Sequence, residues 1–237
     1  MQQARWGSHG DRPAISFMPS SVKEAFDLTV LSFNVAEMLR TPVVLLMDEV
    51  IGHMRESVAL LEPGEFEIVD RKKPQGPKHK HQPYRPDEDL VPPMAAFGEG
   101  YRHHVTGLTH NEKGFPTASA KVGSDLVMRL FEKVNRRRQE FTRVDTHYTD
   151  DAEIIVFAYG AVARPALRAV RNAREKGIKV GMFRPATIWP FPSEELVKAC
   201  ANAKVIMVPE MNMGQMAIEV ERSVRRDVPV IRLPKVG

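Results

Sequence analysis

The sequence predicts an α/β fold in which two parallel-sheet units are joined by an irregular connection. Short apolar runs alternate with helical patterns over residues 153–233, a second β-α-β pattern covers residues 14–47, and residues 62–116 are rich in proline and charge. In parallel sheets, ligands and partners meet the loops at the carboxyl ends of the strands. The loops in those positions are residues 159–161, 184–192 and 210–215.

The first unit begins with a predicted strand at residues 14–18, followed by a helix. Ser21 and Glu24 have the spacing of a capping box at the start of that helix. Apolar residues recur along it at helical spacing, which predicts one broad buried face. The residues assigned to this face are Ala25, Phe26, Val30, Phe33, Ala36, Met38 and Leu39.

Two polar segments of the first unit are candidates for function. Residues 43–47 are wholly apolar, which predicts a strand covered on both faces, and Asp48 and Glu49 follow at its carboxyl end. These acids are either a functional pair or structural acids that cap the next turn. Residues 7–11 form a glycine-flanked loop before the first strand, where a ligand or another chain can approach closely; a tight surface turn is the alternative.

The connection between the units is predicted to be irregular over residues 62–116, with residues 66–69 as one candidate strand. So long a stretch without elements is uncommon inside one compact domain, which favours a segment that wraps a neighbour or crosses between domains. Helical spacing returns over residues 119–141, which end in a strongly basic turn. A basic last turn suits the helix dipole.

Four apolar runs predict the strands of the second unit. They are residues 153–158, 178–183, 204–208 and 228–233. The helix after the first run ends at Lys176-Gly177, a cation followed by a glycine that suits a helix end. Residues 189–192 are too apolar for a free loop and are expected to pack between domains. Residues 210–215 are polar, with methionines that suit a contact surface.

Composition restricts the chemistry of the chain. Cys200 is the only cysteine, which excludes an internal disulfide and a four-thiolate iron–sulfur cluster or zinc site within this chain. Its neighbours place it in the core. The net charge of +4 comes largely from basic runs at residues 71–73, 78–80 and 136–138, without the interleaved aromatics of a nucleic-acid surface. These runs are interpreted as solvated faces or a partner-docking patch.

The remaining candidates for chemistry are histidines. The pairs His79/His81 and His103/His104 have spacings that resemble metal ligands, but they lie in irregular sequence with no thiol nearby, and we expect them to be exposed to solvent. No apolar run reaches the about 20 residues of a membrane helix, and the N-terminus has no signal-peptide pattern. A cytoplasmic location is the expectation.

Several motifs, in this order, resemble the α subunits of 2-oxoacid:ferredoxin oxidoreductases, and the 2-oxoglutarate branch is the most similar. The motifs are residues 5–11, 19–22, 41–44, 48–56, 107–110, 184–185 and 210–215. The resemblance covers essentially the whole chain. It implies a partial pyrimidine-type thiamine-diphosphate domain in residues 1–61, a connection with a basic helix in residues 62–149, and a transketolase C-terminal-like domain in residues 150–237.

The resemblance implies coenzyme A-dependent oxidative decarboxylation of a 2-oxoacid, with 2-oxoglutarate as the expected substrate and ferredoxin as the electron acceptor. In that family a β subunit supplies the sites for the diphosphate and Mg²⁺ and carries the [4Fe–4S] cluster. Family α subunits extend upstream of residues 5–11, and that part carries the glutamate that engages the thiamine ring and an arginine for the substrate. The isolated chain is therefore expected to be inactive, and no catalytic residue is assigned.

The loops and the resemblance together give the expected site residues. Those expected to face substrate or cofactor are Gly7, Ser8, His9, Gly10, Asp11, Asp48 and Glu49. Those expected at an interface are Arg184, Trp189, Glu210, Asn212, Gly214 and Gln215. No metal ligand is assigned. Two alternatives stay open: a thiamine-dependent dehydrogenase or transketolase-type subunit, and a non-catalytic α/β assembly module.

Overall fold

In this computed structural model, the chain forms two β-sheets with helices packed against them. The structure describes residues 1–59, 61–62 and 64–236; Leu60, Pro63 and Gly237, which the predicted domains include, lie outside the described residues. The helices are α1 (Gln2–Trp6), α2 (Val22–Leu39), α3 (Glu49–His53), α4 (Ala120–Phe141), α5 (Ala163–Glu175), α6 (Ser193–Ala199) and α7 (Ala217–Ser223). The strands are β1 (Ile15–Phe17), β2 (Val43–Leu45), β3 (Val144–His147), β4 (Ile154–Phe157), β5 (Val180–Pro185), β6 (Thr187–Trp189), β7 (Val205–Glu210) and β8 (Val230–Pro234).

The first sheet has the strand order β2-β1-β6. β1 and β2 pair in parallel, with Ile15 opposite Val43, and α2 connects them, which confirms the predicted β-α-β element. β2 lies at the edge of this sheet and its three residues are only half-buried. The predicted coverage of this strand on both faces was therefore wrong, because among the described elements only α2 and β1 pack closely against it.

Helix α2 begins where the sequence predicts. Ser21 Oγ accepts a hydrogen bond from the Glu24 N–H at 3.2 Å, whereas the Glu24 carboxylate accepts from the N–H of Ser20 at 2.7 Å. The side chains that α2 buries completely are Leu28, Val35 and Leu39. They form one stripe, and Phe33 lies about 140° around the helix from Leu28. Phe33 is 69% exposed, so its assignment to the buried face was wrong.

The connection is irregular, as predicted. Residues 64–116 contain one short 3₁₀ turn, Lys78–Lys80, and a single isolated β-bridge. The strand predicted at residues 66–69 does not form. Instead, the Asn34 side chain of α2 bonds to one backbone carbonyl and one N–H of that segment, at 2.8 and 2.9 Å. The Asn34 side chain thus makes hydrogen bonds with backbone groups that would otherwise pair with a neighbouring strand.

The second sheet has the strand order β3-β5-β4-β7-β8. The four strands predicted from apolar runs are present and pair in parallel. Helix α5 crosses from β4 to β5 and is followed by Gly177 at φ +76°, as the sequence predicts. β3 is an additional strand, antiparallel to β5 at the sheet edge. β3 carries no apolar run that would predict it, because its central residues are polar and exposed.

Residues 184–192, predicted as a loop, instead carry the chain from one sheet to the other. β5 continues to Pro185, and β6 pairs antiparallel with β1 of the first sheet, with Ser16 opposite Trp189. Between the two strands, the Ala186 carbonyl accepts from the Met18 N–H at 2.8 Å, and the Ala186 N–H donates to the Arg143 carbonyl at 2.9 Å. The prediction failed because these residues complete a sheet distant in sequence.

One apolar core spans both units. Its buried members include Ala14, Met18, Ile155, Phe157, Phe183, Ile188, Trp189, Phe191, Ile206 and Val208. This cluster confirms that residues 189–192 pack between the units. β3 begins before the predicted boundary at residue 150 and yet belongs to the second sheet. The end of the predicted connection is therefore part of that sheet. Within the part of the chain that the structure describes, no helix is long and apolar enough to cross a membrane.

Helix α4 confirms the helix predicted over residues 119–141. Ser119 Oγ caps its first turn, and Phe141 at its end packs edge-to-face on Phe17 of β1 at a centroid distance of 6.4 Å. Its most unusual member is Lys133, which is only 2% exposed. A lysine is rarely buried to this degree without a partner for its charge.

Lys133 binds the end of α2. Its ammonium donates to the carbonyl oxygens of Leu39 and Arg40 at 2.7 and 3.1 Å. The last carbonyls of a helix have no partner inside the helix, so Lys133 completes that end. Burial, together with the nearby charges of Arg129 and Arg40, lowers the pKa of Lys133 to about 7.

This lowered pKa predicts a stability that rises with pH. Between pH 7 and 10.5 the folded Lys133 becomes neutral while an unfolded lysine stays protonated, so the unfolded state binds more protons and the free energy of unfolding increases. We expect Lys133→Met to flatten this rise in urea unfolding at about pH 7 and about pH 9. The exposed Lys198→Met should retain the rise; an equal rise in all three proteins would contradict the assignment.

Candidate functional site

The carboxyl ends of β4 and β7 meet in a buried polar network. The Tyr159 hydroxyl donates to Glu210 Oε1 at 2.5 Å, and the Asn212 amide donates to the same hydroxyl oxygen at 3.0 Å. The Glu210 carboxylate also accepts from the N–H groups of Met216 and Ala217, at 2.9 and 3.1 Å. Burial and the Glu210 carboxylate raise the pKa of Tyr159, so its hydroxyl stays a donor. The Glu210 carboxylate therefore accepts these three hydrogen bonds from groups of the same chain.

The loop after β7 is held by its own side chains. Asn212 Oδ1 accepts from the N–H groups of Gly214 and Gln215, at 2.9 and 2.8 Å. Gly214 is buried at φ +90°, a conformation that favours glycine. Met211 and Met213 at the tip are 52% and 75% exposed. The surface that this loop offers to a partner is therefore mainly that of the two methionines.

Helix α1 lies on this loop. Gln215 Oε1 accepts from the ammonium group of Met1 at 3.0 Å, and the Gln215 carbonyl accepts from the Gln2 amide at 2.8 Å. Trp189 Nε1 donates to the Met1 carbonyl at 3.2 Å. Trp189 and Gln215, which the sequence places at an interface, thus use these contacts inside the same chain to hold α1.

The glycine-flanked loop directly follows α1 and lies on the surface. Gly7, Ser8, His9, Gly10 and Asp11 are all exposed. Ser8 Oγ accepts from Arg12 Nε at 2.5 Å, and Gly10 has φ +73° with open space beside it. Among the described residues, the side chains of His9 and Asp11 make no hydrogen bond. The loop therefore offers an imidazole and a carboxylate to a ligand or a second chain.

Asp48 connects the two units. Its Oδ2 accepts from the Ala161 N–H at 2.6 Å, and it makes no capping bond to its own helix, α3. Gly160 has φ +55°, and a Cβ there would lie 2.3 Å from Asp48 Oδ2 and 2.4 Å from Met18 Cε. Asp48 therefore caps a turn of the other unit and not the next turn of its own. Glu49 remains exposed, 3.6 Å from His53.

Arg184 lies in a buried ion-pair network and not on the surface. Its guanidinium donates to the Glu24 carboxylate at 3.0 and 2.5 Å and, through Nε, to Asp145 Oδ2 at 2.8 Å. Burial opposes the charge of Arg184, but the bonds to both acids outweigh it and raise the pKa of the guanidinium. The network joins α2, β3 and β5, so this predicted interface residue links elements of the same chain.

The other reactive side chains are placed as follows. Cys200 is buried, and burial raises the pKa of its thiol to about 12, which confirms its assignment to the core. His79 and His104 are exposed as predicted, but His81 and His103 are half-buried because their rings pack edge-to-face at 6.2 Å. In the described residues, no group of three or more His, Cys, Asp and Glu side chains is arranged to hold a metal ion.

Two family descriptions match this architecture. Residues 1–129 match pyruvate flavodoxin/ferredoxin oxidoreductase, thiamine-diphosphate binding, and residues 152–236 match pyruvate:ferredoxin oxidoreductase core domain II. The chain belongs to the pyruvate flavodoxin/ferredoxin oxidoreductase family. The resemblance to 2-oxoacid:ferredoxin oxidoreductases and the α/β fold class are thereby confirmed.

Relatives of this oxidoreductase-family chain are named for two different 2-oxoacids. It is 47% identical over 238 residues to the 2-oxoglutarate synthase subunit KorA of Methanothermobacter marburgensis, and 45% identical over 237 residues to the protein of the same name from Methanocaldococcus jannaschii. Both matches cover 100% of this chain and 63% of the relative. The ketoisovalerate oxidoreductase subunit VorB of Methanothermobacter thermautotrophicus is 32% identical, over 97% of this chain and 58% of its own length.

A solved structure has the same fold over the full chain. It is the 2-oxoglutarate:ferredoxin oxidoreductase from Magnetococcus marinus with 2-oxoglutarate, coenzyme A and succinyl-CoA bound. The TM-score is 0.92 at 27% identity, and the match covers 100% of this chain and 41% of that chain. The chain described here thus spans less than two thirds of the relatives that it matches.

Sequence reasoning missed the groups that join the units in this family member. Tyr159 and Gly160 were recognised as a loop at a strand end but not as the partners of Glu210 and Asp48. The signal available was a tyrosine–glycine pair directly after a buried strand. Glu210 lies 51 residues from Tyr159, and Asp48 lies 113 residues from Ala161, whose N–H it accepts. No local pattern specifies such distant contacts.

Asp48 lies so close to Gly160 that a methyl group added at residue 160 should lower the stability of the fold. Gly160→Ala should lower the free energy of unfolding by about 1–2 kcal/mol for the left-handed backbone, and by about 1–3 kcal/mol more for the crowded Cβ. Gly177→Ala is the control, because its φ is +76° but its surroundings are open. Equal losses in the two variants, measured by urea unfolding, would show that Asp48 does not crowd Gly160.

Proposed function

We propose that this chain acts as the α subunit polypeptide of a 2-oxoglutarate:ferredoxin oxidoreductase. The reaction converts 2-oxoglutarate and coenzyme A to succinyl-CoA and CO₂, and two electrons pass to ferredoxin. The observation that carries the proposal is the full-chain match, at a TM-score of 0.92, to a solved enzyme of that name. Relatives named 2-oxoglutarate synthase at 45–47% identity favour this substrate.

We further propose that activity requires a β subunit. The only cysteine, Cys200, is buried, so the chain has no thiolate set for a [4Fe–4S] cluster. Among the described residues, no group of three or more His, Cys, Asp and Glu side chains is arranged to hold a metal ion. These donor sets support a partner that carries the cluster, the Mg²⁺ and the diphosphate end of thiamine diphosphate. Thiamine diphosphate supplies the electron sink for decarboxylation.

The residues proposed to face substrate or cofactor are those of the glycine-flanked loop, Gly7 to Asp11, together with Glu49. All these residues are exposed, which supports this role. Among the described residues, the side chains of His9 and Asp11 also have no hydrogen-bond partner. Asp48 is proposed as a positioning residue, because its carboxylate is occupied by the Ala161 N–H. Residues 210–215 are proposed to contact the partner through Met211 and Met213.

The domain division is kept as a proposal, with residues 1–61 as the thiamine-type part, 62–149 as the connection and 150–237 as the second α/β domain. A cytoplasmic location is proposed with it. It is supported by the full-chain similarity to relatives that are named as enzyme subunits. The relative named for ketoisovalerate makes a branched 2-oxoacid the second candidate substrate.

Co-expression of an iron–sulfur β subunit from the same organism with this chain inside an α polypeptide of the length of its relatives tests the proposed assembly. We expect a brown complex with visible iron–sulfur absorption and coenzyme A-dependent reduction of ferredoxin, faster with 2-oxoglutarate than with 2-ketoisovalerate. A preference for 2-ketoisovalerate would reassign the substrate. A colourless homo-oligomer without thiamine diphosphate would favour a non-catalytic assembly module, and transfer of sugar phosphates would favour a transketolase-type subunit.

His9→Ala tests the glycine-flanked loop in that complex. A lost hydrogen bond to a charged ligand should lower kcat/KM by about tenfold to a hundredfold. Because His9 is exposed, the thermal midpoint should not change. His79→Ala, an equally exposed histidine on the connection, serves as the control and should retain full activity. Equal activity of both variants would remove His9 from the site.

A further inference from the structure

Two of the basic runs in the connection fold around one cavity. Lys72 and Lys73 of the first run and Lys80 of the second line, together with Arg85, an open cavity of about 390 Å³. In the sequence these runs have the appearance of two separate solvated segments. The structure brings Lys72, Lys73 and Lys80 to the same concave wall.

Most of the positive charge at this cavity is unpaired. Asp87 is the one acid in the lining, and Lys72 already binds it at 2.6 Å while also binding Asp89 at 2.9 Å. The ion pairs formed by the described residues leave out Lys73, Lys80 and Arg85. Three exposed cations thus line one volume without an ion-pair partner among the described residues, an arrangement that attracts an anion.

The cavity has further groups suited to oxyanions. The side chains of Gln75 and Gln82 line it and supply amide donors, and Pro74 and Pro93 form stiff walls. A guanidinium and several ammonium groups around a concave site are the groups that bind phosphate. The volume exceeds that of a single phosphate and falls in the range of small-molecule sites. A flat basic face would suit an acidic protein better, whereas this one is concave.

We propose that this cavity is a binding site for a small molecule that carries phosphate or diphosphate groups. Lys73, Lys80 and Arg85 supply the charge that binds it, and Lys72 keeps Asp87 from opposing it. The two sources of such chemistry are inorganic phosphates and the phosphate end of a nucleotide. The proposal does not depend on the proposed oxidoreductase activity, since it concerns binding to this chain alone.

Isothermal titration of the full 237-residue chain tests the site, with inorganic diphosphate and adenosine 3′,5′-bisphosphate as the two probes. Saturable binding that weakens with added salt is expected for at least one of them. Tighter binding of the bisphosphate assigns the site to a nucleotide, and equal or tighter binding of diphosphate assigns it to inorganic phosphates. A rise of the thermal midpoint with the bound probe should accompany binding.

Charge-removing variants locate the binding. Lys80→Gln and Arg85→Gln should each weaken the dissociation constant by about tenfold. Lys198→Gln and Arg171→Gln are the matched controls, because both lie on exposed helix faces of the second unit. Equal weakening in the controls, or no saturable binding of either probe, would overturn the proposal. Binding of polyglutamate without either probe would overturn it as well and favour an acidic protein partner.

Discussion

The hydrogen bonds at residues 186–187 set the position of the two sheets. The Ala186 carbonyl accepts from Met18 of the first unit, and the N–H groups of Ala186 and Thr187 both donate to the Arg143 carbonyl. The Thr187 hydroxyl adds a bond to the Phe141 carbonyl at 3.1 Å. These groups are buried, and each one left without a partner would cost about 1–3 kcal/mol. These bonds therefore form only when the two sheets hold this relative position at the crossing from β5 to β6.

The same crossing determines where the candidate loops meet. Because β6 completes the first sheet while β5 belongs to the second, the carboxyl ends of β2 and β4 come together, and Asp48 reaches the Ala161 N–H. The crossing strand also carries Trp189, which holds α1 and with it the loop that contains His9. The exposed loop is thus anchored by buried groups, which is how a surface site keeps a fixed geometry.

Buried charge in this chain is used mainly to join elements. Arg184 links α2, β3 and β5 through Glu24 and Asp145, and Lys133 links α4 to the end of α2. Glu210 is satisfied by Tyr159 and two backbone N–H groups. Arg184 and Glu210, both predicted at an interface, therefore make their described hydrogen bonds inside this chain, and the exposed side chains beside them are the ones proposed to meet a partner.

The sequence by itself determined the elements whose signals are local. Apolar runs gave the four parallel strands, Ser21 and Ser119 marked two helix starts, and proline and charge marked the irregular connection. The tertiary structure alone decided that residues 187–189 form a strand of the first sheet, that β3 joins the second, and that Asp48 contacts Gly160. Each of these depends on a backbone or side-chain partner far away in the sequence, and a local pattern carries no record of a distant partner.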